Sequence, residues 1–139
     1  MEKYCIRFDE FRKELKELKR GRELDYNSES FILKGIVKSY ELLFDLAWKT
    51  MKDTIRDYFG VIDYSMGSPA ENIRQAFKMG LIEDDGKWIK MLKIRNLLTH
   101  DYDGKIALNE VENIVNDFCS VFEGFESKML KFFDENKPL

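Results

Sequence analysis

The chain has 139 residues, 44% hydrophobic and 35% charged, with two prolines and a net charge of −3. That length suits one domain, 1–139, with a single core, and the composition excludes a disordered chain. An isoelectric point near 5.3 excludes the broad basic footprint of a non-specific nucleic-acid binder.

No apolar run reaches the roughly 20 residues of a membrane span, and the start MEKYCIRFDEF is too charged for a secretory signal, so the cytoplasm is the expected address with no membrane partner. Cys5 and Cys119 lie far apart with no second Cys or His at ligand spacing. Reduced, part-buried thiols are therefore expected, with no metal, disulfide or cofactor.

In residues 2–20, Tyr4, Phe8, Phe11, Leu15 and Leu18 recur at helical spacing, and Gly21 is placed to cap the helix end. From about Ser28 to Phe59, Ile32, Ile36, Tyr40, Leu43, Phe44, Ala47, Met51 and Ile55 keep the same period. A continuous helix there would be roughly 48 Å long at 1.5 Å per residue, the spine of a bundle. Ser68-Pro69-Ala70-Glu71 reads as a helix start, with a capping serine, proline at the first position and glutamate completing a capping box. That short helix should end at Met79, with Gly80 left-handed and Leu81 folding back. A fourth helix begins near Asp84 to Lys87. A fifth, from about Asn109 with Glu112 three residues on, carries Val111, Ile114, Val115, Phe118, Phe122, Phe125, Met129 and Phe132 on one stripe. Long amphipathic helices on short connections predict an all-α, antiparallel, up-and-down bundle with a four-helix core and about five helices.

The fourth helix holds RNLLTHDY, with the sole histidine of the chain. Trp88, Met91, Leu92, Arg95 and Thr99 fall on one stripe, which puts a guanidinium among apolar side chains. Such a group needs a carboxylate, phosphate or backbone acceptor. His100 lies about 140° around the axis from Arg95, and Asn96 is on its side of the helix. Two readings stand together: a chemical site, or a solvated helix-end histidine beside an arginine that reaches for water. The phenylalanine stripes read as core.

The segments YELLFDLAWKTMKD (Tyr40 to Asp53), GSPAENIRQAFKMGLI (Gly67 to Ile82) and WIKMLKIRNLLTHDY (Trp88 to Tyr102) resemble, in order and spacing, the nucleotidyltransferase substrate-binding protein family. That family is a branch of the HEPN superfamily related to the HepT toxins. The resemblance implies a five-helix bundle, usually a homodimer, encoded beside an MNT-type minimal nucleotidyltransferase. The HEPN ribonuclease signature is Arg, a polar residue such as Asn, and then His after four to six intervening positions, which Arg95, Asn96 and His100 match. In HepT–MNT toxin–antitoxin pairs a Tyr two residues after the His receives AMP from the nucleotidyltransferase, and Tyr102 occupies that place. Asp101 falls in a variable slot.

Metal-independent RNA cleavage with the 2′-hydroxyl as nucleophile needs a proton acceptor, a proton donor and a counter-charge for the phosphate. Imidazole supplies the first two, one at a time, and Arg95 the third. One histidine per chain cannot be base and acid at once, so a twofold dimer through the fourth helix is expected, with Leu92 and Leu98 as candidate interface residues. Three functions remain open: an endoribonuclease toxin acting on RNA, a non-catalytic subunit presenting a nucleotide or other substrate to the transferase, and a purely structural helical partner.

Overall fold

The computed structural model describes residues 3–60 and 67–135, and the side chain of Tyr4 lies outside what it describes. Helix α1 (Lys3–Lys19) buries Phe8, Phe11, Leu15 and Leu18, the expected stripe. The chain then tightens into a 3₁₀ turn (Arg20–Glu23) instead of a left-handed cap at Gly21. Gly21 is required for a different reason: a Cβ there would stand 3.0 Å from Val115 Cγ1 and 3.2 Å from Ile36 Cγ1. It is the contact point of three elements.

Helix α2 (Ser30–Asp53) starts one residue after Glu29, whose carboxylate accepts a hydrogen bond from the Phe31 N–H. It continues through a π turn (Thr54–Tyr58), so the backbone stays helical over nearly the whole predicted span. The wider turn directs Asp53, Thr54 and Ile55, three successive residues, into the interior. Asp53 is 2% exposed and is compensated by Arg7 at 3.0 Å and Arg56 at 3.2 Å.

Helix α3 (Pro69–Lys78) begins at the expected serine cap and proline: Ser68 Oγ accepts from the Glu71 N–H, while the Glu71 carboxylate accepts from the Ser68 hydroxyl at 3.0 Å and not from its backbone N–H, so the capping box is half formed. It ends on Gly80 at φ +79°, where the N–H of Leu81 donates to the carbonyl of Ala76 and that of Gly80 to the carbonyl of Phe77. This pair of bonds closes the helix and turns Leu81 into the core.

Helix α4 (Asp85–Leu98) is capped by Asp84, and α5 (Lys105–Asn113) passes through a second π turn (Ile114–Phe118) into α6 (Cys119–Glu135). The last helix therefore starts before Asn109, which lies in its second turn and is not its cap. Among the described residues the chain is an all-α bundle of five helical rods without strands. Helix α2 is the spine, packed on α1, α3, α4 and α5, while α6 closes against α1. No described helix is long and apolar enough to cross a membrane.

One contiguous cluster of buried side chains fills the interior. Its centre is aromatic: Tyr40 stacks on Phe118 at 5.7 Å, and Trp88 meets Phe122 at 5.5 Å and Phe125 at 5.7 Å edge to face. Each such ring contributes about 2–3 kcal/mol through burial. Cys119 is fully buried, and the same burial pushes its thiol up to about 11.

The left-handed backbone at Gly80 gives a direct test. Gly80→Ala should destabilise the fold by about 1 kcal/mol, the cost of a Cβ in that conformation. A lowered urea midpoint with an unchanged m-value would record it, whereas an unchanged midpoint would mean that the α3 end can close another way.

Candidate functional site

The site is built on the contact between α2 and the second half of α4. Tyr40 is fully buried on α2, and its hydroxyl donates to the Met91 carbonyl at 2.7 Å. Burial, reinforced by Glu110 and opposed by Arg95, raises the phenol's pKa, so the group stays protonated and remains a donor. In an α-helix the Met91 carbonyl is also the one facing the N–H of residue 95. Tyr40 therefore fixes the turn of α4 from which Arg95 projects.

Arg95 lies across this contact. Its Nη2 donates to Asp45 Oδ2 on α2 at 2.8 Å, and both side chains are 30% exposed. The acceptor that this guanidinium needs is Asp45, within the same chain. The same carboxylate accepts from the Trp48 indole, Nε1 to Oδ1 at 3.3 Å. On the exposed side, Nη1 stands 3.5 Å from Asn96 Oδ1, a marginal hydrogen bond. The Arg95 Nε is buried and has no hydrogen-bond partner among the described residues. Leu98, a candidate interface position, is 6% exposed and belongs to the core, while Leu92 is half-buried against it.

Helix α4 ends where its sequence loses apolar residues. The Thr99 hydroxyl donates to the Arg95 carbonyl at 3.2 Å, and the His100 N–H closes a tight turn onto Leu97. His100 is exposed, with its ring centroid 6.5 Å from that of Tyr102, which is itself 93% exposed. Asn96 faces Arg95, and no hydrogen bond joins it to the imidazole among the described residues. Arg95 thus faces Asn96, and His100 faces Tyr102; the two pairs share one helix end, and among the described residues no side-chain hydrogen bond joins them.

Two contributors were not singled out by the sequence. Asp45 sits inside a block of helical sequence and is joined to Arg95 only across fifty positions. Asp101, assigned to a variable slot, accepts from the N–H groups of Ile106 at 3.1 Å and Ala107 at 2.8 Å. It caps α5, a function that an acidic residue shortly before Gly104 and an apolar pair could have signalled. Asp101 therefore clamps the loop that carries His100 and Tyr102.

Beside this loop a groove of about 680 Å³ opens between the start of α2 and the start of α5. Leu33, Val37, Leu98, Ala107 and Leu108 line it, with Tyr102 among its walls and Glu29, Lys34, Asp101 and Asp103 as the charged side chains. With three carboxylates against one ammonium, it favours a neutral or donor-bearing group over a polyanion.

A family model described as nucleotidyltransferase substrate binding protein like matches residues 6–131. The chain is also similar to the probable ribonuclease HepT of Haemophilus influenzae, at 28% identity over 78 residues. That alignment covers 55% of this chain and 53% of the relative, so the chain spans about half the length of the curated relative it matches.

Removing the clamp should separate local order from the bundle. Asp101→Ala should cost about 1–2 kcal/mol, as for other lost helix caps. Amide exchange at Ile106 and Ala107 should accelerate more than at Met91 or Phe122. Uniform acceleration would show instead that the loop and the core open together.

Proposed function

The chain belongs to the nucleotidyltransferase substrate binding protein like family, and from that premise we propose that it is the helical companion of an MNT-type minimal nucleotidyltransferase and a metal-independent endoribonuclease. The observation that carries this reading is the shared helix end: an anchored, part-exposed Arg95 with Asn96, and then an exposed His100.

In the proposed reaction one imidazole accepts the proton of the 2′-hydroxyl as the 2′-oxygen bonds to phosphorus. The bond from phosphorus to the 5′-oxygen breaks, an imidazolium returns a proton to that oxygen, and the products are a 2′,3′-cyclic phosphate and a 5′-hydroxyl. Arg95 holds the charge that gathers on the phosphate oxygens, and Asn96 donates to phosphate or orients the guanidinium. Two imidazoles come from a twofold homodimer. Support for such pairing comes from apolar surface beside the polar groups: Leu97, a turn before His100, is 52% exposed, and Leu42, a turn before Asp45, is 42% exposed.

Control acts through Tyr102. The phenolic oxygen attacks the α-phosphorus of ATP bound by the transferase, pyrophosphate leaves, and the chain carries AMP through a phosphodiester. The added negative charge can pair with Arg95 of the dimer cleft, and the nucleoside can cover His100. A second reading, a non-catalytic subunit that presents a nucleotide or substrate to the transferase, draws on the groove beside Tyr102, whose apolar floor and carboxylates suit a base and sugar and leave any phosphates outside it.

The deciding experiment is RNA cleavage by the purified chain in EDTA. Cleavage should persist there, because side chains fill every role in this mechanism. His100→Ala and Arg95→Ala should each reduce it by about 10²-fold or more, the scale of general acid–base and oxyanion contributions. Helicity and melting should stay near wild type. Dependence on magnesium, or undiminished cleavage in either variant, would leave the binding-subunit reading.

Intact-mass measurement tests the control step. Wild type incubated with the transferase, ATP and magnesium should gain one or more AMP masses, and Tyr102→Phe should gain none while still cleaving. Equal mass gain in both would remove Tyr102 from the mechanism. Light scattering of an active species at monomer mass would remove the dimer.

A further inference from the structure

A guanidinium free to choose its orientation beside a carboxylate forms a two-bond fork. Arg95 does not. Its Nη2 alone meets Asp45 Oδ2, while Nε is buried without a partner among the described residues. The other oxygen of the carboxylate, Asp45 Oδ1, accepts from the Trp48 indole at 3.3 Å. Trp48 is three residues from Asp45 on α2, so the indole holds the carboxylate in one rotation from the same helix face. Lys49 lies 5.7 Å over the Trp48 ring. An orphaned buried donor costs more than a part-exposed ion pair returns. Stability alone does not account for this arrangement.

We propose that Asp45 and Trp48 are positioning residues for Arg95: the indole holds the carboxylate in a rotation in which one oxygen alone serves the guanidinium, which keeps Nη1 on the exposed side for a phosphate oxygen. The assignment rests on the reading of Arg95 as a phosphate-binding group. Asp45 fixes the depth and rotation of the guanidinium, and Trp48 limits how strongly Asp45 neutralises it. The long contact from Nη1 to Asn96 is weak enough to yield to an anionic oxygen, whereas the 2.8 Å bond from Nη2 is not. Neither residue touches substrate; both act through Arg95.

The two substitutions should behave differently. Trp48→Phe keeps a ring in place and removes the donor, which frees Oδ1 to reach the orphaned Nε and complete a fork. The guanidinium is then drawn toward α2. Cleavage should fall by about three- to tenfold in kcat with little change in KM, while melting stays the same or rises, because a buried donor has found its partner. A purely structural indole bond would instead give lower melting together with any lower activity. Asp45→Asn weakens the hold on Nη2, so kcat should fall by about tenfold or more.

A second measurement needs neither RNA nor transferase. In ¹⁵N spectra of the unliganded full-length chain, the Arg95 Nε–H should exchange slowly with solvent, at least about tenfold faster in Asp45→Asn, and more slowly still in Trp48→Phe. If wild type cleaves no RNA, the ribonuclease reading fails and the exchange rates still decide the positioning. Rates unchanged by both substitutions, or Trp48→Phe with full kcat, would overturn the assignment.

Discussion

The site depends on one hydrogen bond, from the buried Tyr40 hydroxyl to the Met91 carbonyl. A phenol in an aromatic core must donate to something, and here the acceptor is backbone of the neighbouring helix. That fixes the rotation and height of α4 against α2, whereas apolar contacts alone tolerate sliding. Arg95 reaches Asp45 only because α4 is held at this height. The cost of burying a polar atom in the core is thereby offset by geometric definition one turn away.

The molecule carries net negative charge, yet its candidate site centres on a guanidinium. Several of its cations face carboxylates at short range, such as Arg7 and Arg56 around Asp53, Arg22 against Glu123 and Lys87 against Asp117. Arg95 meets its carboxylate at 2.8 Å, and that carboxylate also accepts from an indole. A local centre of attraction for phosphate does not require a basic surface. It requires one cation in a place that an anion can reach, which is the role proposed for Arg95.

The features legible in the sequence were those written in adjacent residues. The serine cap at Ser68, the chain reversal at Gly80 and the apolar stripes of α1 and α2 depend on contacts within a turn or two, and the structure contains them. The RNLLTHDY segment drew attention to Arg95 because an arginine interrupts an apolar face. Its partner Asp45 has no such signal, since an acidic residue at the edge of an amphipathic helix resembles any solvated carboxylate until the fold brings α4 to it. Gly21 was misread for the same reason, as its constraint comes from Ile36 and Val115, distant in sequence. Asp101 was overlooked because its bonds span a loop, not a helical repeat.

The two π turns, Thr54–Tyr58 and Ile114–Phe118, coincide with places where neighbouring residues are buried together: Asp53, Thr54 and Ile55 in one, Ile114 with Val115 and Phe118 with Cys119 in the other. An added residue in an ordinary α-helix swings everything beyond it by about 100°. A widened turn absorbs that residue, so the downstream side chains keep their phase, and Phe122, Phe125 and Met129 still meet the core. Each π turn is therefore a buffer for chain length. Insertions and deletions of a single residue, which a bundle ordinarily confines to its loops, can occur inside these helices without turning the following apolar face toward water.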